Sequence, residues 1–278
     1  MAGARIVTDS SCDLAAETTD PLGIAVVPLT IRFGDQELVD RSELSPEQFY
    51  ERMAASATLP ETAAPAPGAF EQAFRGLADD GADSVICVNL SADLSATYAS
   101  ARNAAAALAG EIDVRVIDSH SITGGLGTQV LQAAAAAADG RTADDIVAMV
   151  EDLARRTRVY GALDTLDNLK RGGRIGGAQA MLGTLLSIKP IVDISTGVVE
   201  EAAKARTRKK AIAWLRDKLF EQPTVEHLAV LSGGAPDVGE LCELLAPRYG
   251  PDDYRTGTIG PVIGTHGGPR VLGLTWVA

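Results

Sequence analysis

Leu163-Asp164-Thr165-Leu166-Asp167-Asn168-Leu169-Lys170-Arg171-Gly172-Gly173-Arg174-Ile175-Gly176-Gly177 is the stretch that decides how this chain divides. Leu163, Leu166 and Leu169 recur at helical spacing, so a helix is predicted here. It should close at Gly172-Gly173, because glycine accepts the positive φ of a helix C-terminus. Lys170 and Arg171 fall in its last turn, where the helix dipole favours cations. Locally this is a helix end with a glycine cap. In the chain it stands between one run of strand–helix units and a second, shorter set. The reading is an α/β protein of two domains. Residues 1–160 form a parallel sheet wound by helices, and residues 161–278 form a smaller α/β domain with a mixed sheet.

Length and composition agree with two soluble domains: 278 residues, 46% hydrophobic and 22% charged. A net charge of −12 argues against general affinity for nucleic acid or an anionic membrane surface, since both need a basic field. Cys12, Cys87 and Cys242 are scattered without a CxxC pair, which disfavours a zinc site and a disulfide framework. The chain opens directly on a strand, and no apolar run is long enough to span a bilayer. A cytoplasmic protein without stable membrane insertion is expected.

Outward from the hinge, Arg5–Thr8 reads as a buried strand, and a second strand from Ile24 to Phe33 is bent at Pro28. Ser45-Pro46-Glu47-Gln48 is a capping box with proline at the first helical position, so a helix runs to about Ala55. Pro60, Pro65 and Pro67 exclude helix interior and central strand, leaving an ordered loop or lid. Further strands are expected at Ser84–Leu90 and Val114–Asp118. The segment Ser119–Gly127 reads as a glycine-rich turn. In the second half, Ile188–Ile194 and Val198–Lys204 pair as a hairpin through Thr196-Gly197.

Familiar catalytic motifs fail. No Gly-x4-Gly-Lys-Ser/Thr loop occurs, and Gly125-x-Gly127 lacks the third glycine of a dinucleotide fingerprint. Asp118-Ser119-His120-Ser121 places triad residue types side by side, whereas a triad needs them converging from separate elements. His120, His227 and His266 lie far apart, and Asp9 and Asp118 would more simply tie loops than hold a metal. What remains is a set of neutral groups at special backbone positions. Thr62 lies in the proline-rich loop. Ser95 lies where a loop enters a helix, as a plain cap or as an anion contact beside free N–H groups. His266 lies among glycines.

Taken together, eight segments in order resemble the DegV family. They are Ile6–Ser11, Thr62–Phe70, Leu94–Tyr98, Val116–Ser119 with Gly125-Leu-Gly127, Leu163–Ile175, Ile188–Pro190, Lys204–Arg206 with Arg208–Lys210, and Gly264–His266 with Gly268-Pro269. The resemblance covers nearly the whole chain. It implies two α/β domains holding one long-chain fatty acid between them, with no catalysis by this chain alone and no cofactor. It implies a separate ATP-using kinase subunit that phosphorylates the carboxylate. It implies that Thr62, Ser95, His266 and Arg206 meet the carboxylate, and that Arg171, Gly172, Gly173 and Arg174 lie at the mouth or dock the partner. Thr62-Ala63-Ala64-Pro65-Ala66 stands where such proteins usually read Thr-Ser-Gln-Pro-Ser, Ala96 where they carry glycine, and Arg270 where Gly-Pro-Gly would end. Two other readings stay open. One is a free-standing enzyme on a small carbonyl or phosphate substrate, using His266 or Asp118. The other is an interaction protein docking through Arg206–Lys210.

Overall fold

A computed structural model describes residues 3–56, 58–181 and 188–278. In chain order the first elements are β1 (Ala4–Asp9), α1 (Ala16–Thr19), β2 (Ala25–Val27), β3 (Thr30–Phe33), β4 (Gln36–Val39), α2 (Pro46–Ala55) and β5 (Glu61–Ala63). Next come α3 (Pro67–Asp79), β6 (Ser84–Asn89), α4 (Thr97–Ala107), β7 (Val114–Asp118), α5 (Thr123–Ala138) and α6 (Ala143–Arg156). The last part holds β8 (Thr157–Ala162), α7 (Asp167–Arg171), β9 (Lys189–Asp193), β10 (Glu200–Ala205), α8 (Arg208–Phe220), β11 (Glu226–Ser232), α9 (Val238–Leu245), β12 (Arg255–Thr258), α10 (Pro261–Gly267) and β13 (Leu272–Val277).

Among the described residues the strands form three sheets. A parallel sheet runs β2-β1-β6-β7, a mixed six-stranded sheet runs β10-β9-β8-β13-β11-β12, and a small antiparallel sheet runs β4-β3-β5. Strand alternation gives the first two sheets two working faces. In the parallel sheet, Val7, Val85 and Cys87 pack toward Phe70 and Phe74 of α3, while Ile6, Ile86 and Val88 face the seam. In the six-stranded sheet, Leu272, Leu274 and Trp276 of β13 join α8 and α9, while Val159 of β8 and Leu231 of β11 face the seam. One continuous apolar cluster therefore lies between the two large sheets.

Most expected elements form, and the departures have physical causes. The strand expected over Ile24–Phe33 is two strands in different sheets, because Pro28 offers no N–H to continue a ladder. The capping box is present: Ser45 Oγ accepts from Gln48 N at 3.3 Å, and Gln48 Oε1 accepts from Ser45 N at 3.0 Å. The glycine-rich turn is instead the first turns of α5. A Cβ on Gly125 would lie 2.8 Å from Val159 Cγ2, so these glycines let α5 approach the six-stranded sheet. The expected division after residue 160 cuts through β8, which pairs along its length with β13 and belongs wholly to the six-stranded sheet. The change of sheet falls at the end of α6. The hinge helix is also shorter than expected: Leu163 and Leu166 are buried ahead of α7, which begins at Asp167.

Leu274 is fully buried between the six-stranded sheet and its two helices. Leu274→Ala should lower unfolding stability by about 3 kcal/mol in urea titration. A loss below about 1 kcal/mol would show that this layer repacks around the gap.

Candidate functional site

Thr62 and His266 are 204 residues apart, yet Thr62 Oγ1 lies 3.0 Å from His266 Nε2. Two local structures produce the meeting. β5 pairs with β3 through Thr62↔Ile31, which anchors Thr62 although its loop is proline-rich. Pro261 starts α10 at its first turn, and His266 is in the last turn. Helix α10 is held by Tyr50, whose hydroxyl donates to Ile259 O at 2.9 Å, and by Asn168, whose Nδ2 donates to Thr265 O at 2.9 Å. His266 is therefore a helical residue rather than a loop histidine.

Burial, and the Arg174 guanidinium second, push the His266 pKa down to about 4. The ring is neutral at pH 7. Its Nδ1 is buried without a hydrogen-bond partner, and a Cβ on Gly172 would overlap that atom. A bare buried N–H costs more than a bare lone pair, so the proton belongs on Nε2. Nε2–H then donates to Thr62 Oγ1, and the Thr62 hydroxyl proton is free to donate to a third group.

Ser95 lines the same cavity as Thr62 and His266. Its Oγ accepts from Thr97 N at 3.3 Å and lies 2.9 Å from Thr97 Oγ1, so it also serves the start of α4. Arg174 ties this loop to the hinge: its Nε donates to Leu94 O at 3.1 Å and its Nη1 to Gly172 O at 2.7 Å. Outside this strap, a second depression shares Thr62, Arg174 and His266 with the cavity and adds Asn168, Arg171 and Gly172. The arrangement is a mouth of neutral hydroxyls and one imidazole, flanked by guanidinium groups.

Behind the mouth the cavity runs into the seam. Its volume is about 180 Å³, and its walls are mainly Leu, Ile and Val. Gly161 of β8 and Gly273 of β13 are register partners and both line it. At Gly161 an added Cβ would come no nearer than 3.5 Å to Val192 Cγ2, and at Gly273 no nearer than 3.5 Å to Tyr160 O. Protein packing alone does not demand glycine at either place, although glycine weakens a strand. The bare backbone leaves a flat floor to the cavity there.

The structure thus brings Thr62, Ser95, His266 and Arg174 to one cavity, with Arg171, Gly172 and Gly173 on its outer side. It does not bring Arg206 there. Arg206 is exposed at the end of β10, the edge strand, one strand beyond β9, whose Val192 lines the wall. Its neighbour Arg208 is committed to Asp237, with Nε to Oδ2 at 2.9 Å and Nη2 to Oδ1 at 3.1 Å. Asp9 ties β1 to β6, accepting from Leu90 N and Asn89 Nδ2, and Asp118 accepts from Ala92 N and His120 N. Neither carboxylate lines the cavity. Among the described residues no three His, Cys, Asp or Glu side chains gather as a metal cluster. Sequence reasoning missed Asn168, Gly161 and Gly273. The pattern Val271-Leu272-Gly273-Leu274-Thr275-Trp276 carried the last of these, since its small side chains all fall on one face.

An apolar cavity thus lies between the two large sheets, with Thr62, Ser95, His266 and Arg174 at one end of it. The chain belongs to the DegV family: the model described as "uncharacterised protein, DegV family" matches residues 4–278. A DegV domain-containing protein from Streptomyces coelicolor is 37% identical over 278 residues, covering 97% of this chain and 96% of its own. A DegV family protein from Thermus thermophilus, whose structure describes fatty acid binding, superposes with a TM-score of 0.91 at 32% identity over 99% of both chains. DegV from Bacillus subtilis, a fatty acid binding protein, gives 0.90 at 31% identity over 100% of this chain and 99% of its own.

The neutral His266 makes a pH prediction. The unfolded chain takes up this proton near pH 6.5 and the folded chain near pH 4. Between those values the unfolded state binds more protons, so the contribution destabilises the fold progressively as pH falls, by about 3 kcal/mol in all. Asp13 and Asp40, raised by burial to about 7 and about 6, act with the opposite sign, losing stability as pH rises. Denaturant titrations of the wild type and His266→Gln from pH 7.5 to 4 isolate the histidine. The variant should lose less stability on acidification, and parallel curves would refute a buried neutral imidazole.

Proposed function

We propose that this protein binds one long-chain fatty acid in the seam between its large sheets and presents the carboxylate at the Thr62–Ser95–His266 mouth. The observation that carries this reading is an apolar cavity whose one end is lined by the hydroxyls of Thr62 and Ser95 and by His266. Its DegV relatives of known structure, described as fatty acid binding proteins, support it. Burying a sixteen-carbon tail contributes roughly 11 kcal/mol, at about 0.8 kcal/mol per CH₂. Desolvating an unpaired carboxylate costs several kcal/mol. The hydroxyls of Thr62 and Ser95 donate to the carboxylate oxygens, His266 orients Thr62, and the Arg174 charge offsets the anion.

The chain performs no phosphoryl transfer by itself in this reading. It carries no glycine-rich phosphate loop with a following lysine. A separate ATP-dependent kinase subunit would approach the outer depression. One carboxylate oxygen attacks the γ-phosphorus, ADP leaves, and an acyl phosphate forms. Arg171 and Arg174 flank that approach and counter the phosphate charge.

Solvent extraction of the purified protein followed by mass spectrometry should recover a long-chain fatty acid. Titration with hexadecanoic acid should show affinity falling about tenfold in Thr62→Val and in Ser95→Ala, the loss of one hydrogen bond to a charged group. An extract without fatty acid, together with no binding on titration, would overturn the proposal.

A further inference from the structure

Gly161 of β8 and Gly273 of β13 lie side by side in the wall of the cavity. The register extends the row on both sides, from Gly161 to Val192 of β9 and from Gly273 to Leu231 of β11. Residues in register across a sheet point to the same face. The row therefore reads Val192, Gly161, Gly273, Leu231, with branched side chains at its ends and bare backbone at its two central positions. Neighbouring strands lie about 4.8 Å apart, so the bare patch is two strands wide. Val159 of β8 and Val271, just ahead of β13, also line the cavity, each two residues from a glycine along its own strand. The strands are antiparallel, so these valines bound the patch at opposite ends. The result is a hollow in the cavity wall framed by four branched side chains.

The hollow is open. Among the described residues, and leaving out its chain neighbours, a Cβ at Gly161 would meet one atom within 4 Å, Val192 Cγ2 at 3.5 Å. No atom of the opposite wall comes that close. At Gly273 the nearest would be Tyr160 O at 3.5 Å, then Ile259 Cδ1 and Leu231 Cβ at 3.8 Å. These are ordinary van der Waals separations. Both strands are paired on both sides, so the glycine amides are engaged in ladders and the hollow holds little to attract water. A straight hydrocarbon lying across it would leave it empty, and the surrounding side chains would forgo the contacts an occupant makes. A methyl group has the size of the missing Cβ.

We infer that this hollow takes a methyl branch, so that the preferred ligand is a long-chain fatty acid carrying one methyl group part-way along its chain. Gly161 and Gly273 are then the residues that set this specificity. One carbon more or less in a fitting hydrophobic pocket changes affinity by about tenfold or more. This inference rests on the fatty-acid reading above and adds the substrate class.

The test titrates the full chain with hexadecanoic acid and with its monomethyl isomers, the methyl moved along successive carbons. One isomer should bind the wild type about tenfold more tightly than the straight acid. Gly161→Ala and Gly273→Ala each fill the hollow from the protein side. Neither glycine has a positive φ, so alanine fits the strand. Each variant should bind the preferred isomer about tenfold more weakly than the wild type does, yet hold hexadecanoic acid at least as tightly. Damage to the fold would weaken both acids alike. The inference falls, while the fatty-acid reading stands, if no isomer outbinds the straight acid on the wild type. It falls equally if both alanine variants keep the preference, or lose affinity for straight and branched acids in the same proportion. If neither kind of acid binds, both readings fall.

Discussion

The contact between Thr62 and His266 is the constraint on which the site depends. It joins an edge strand of the smallest sheet to the last turn of a helix near the end of the chain. Each partner is placed by something else: Thr62 by its ladder with β3, and His266 by α10, its ring seated where Gly172 has no side chain. The mouth of the cavity is therefore a tertiary product. Asn168 and Arg174, both from the stretch that divides the chain, tie it to the hinge.

The larger architecture serves that mouth by giving the six-stranded sheet two unlike faces. On one, Leu272, Leu274 and Trp276 bury against α8 and α9 as an ordinary core. On the other, Val271, Gly273 and Thr275 look into the seam. The same strand stabilises the domain and forms the cavity. Helix α5 bridges the two large sheets, and its glycines bring it close enough to close the seam.

Much of this was legible in order along the chain. Helix α2 announced itself by Ser45-Pro46 and Gln48, and the hairpin of β9 and β10 by Thr196-Gly197. The grouping of Thr62, Ser95 and His266 followed from segment resemblance, and the cavity lining agrees. Arg206 misled because a charge next to matching residues says nothing of strand order: β10 is an edge. The glycines of α5 misled because glycine marks either a turn or a close approach, and only a neighbouring sheet tells the two apart.

The paired glycines in the floor have a consequence for how such a cavity can change. Ladder hydrogen bonds run through the backbone and are indifferent to what stands at 161 or 273, and neither site is crowded by its own neighbours. Methyl groups could therefore be added there one at a time, raising the floor without disturbing the sheet. A scaffold of this kind adjusts its internal length in carbon-sized steps while its outer surface stays the same. The size of the cavity and the surface around it can then diverge independently in descendants of one ancestral chain.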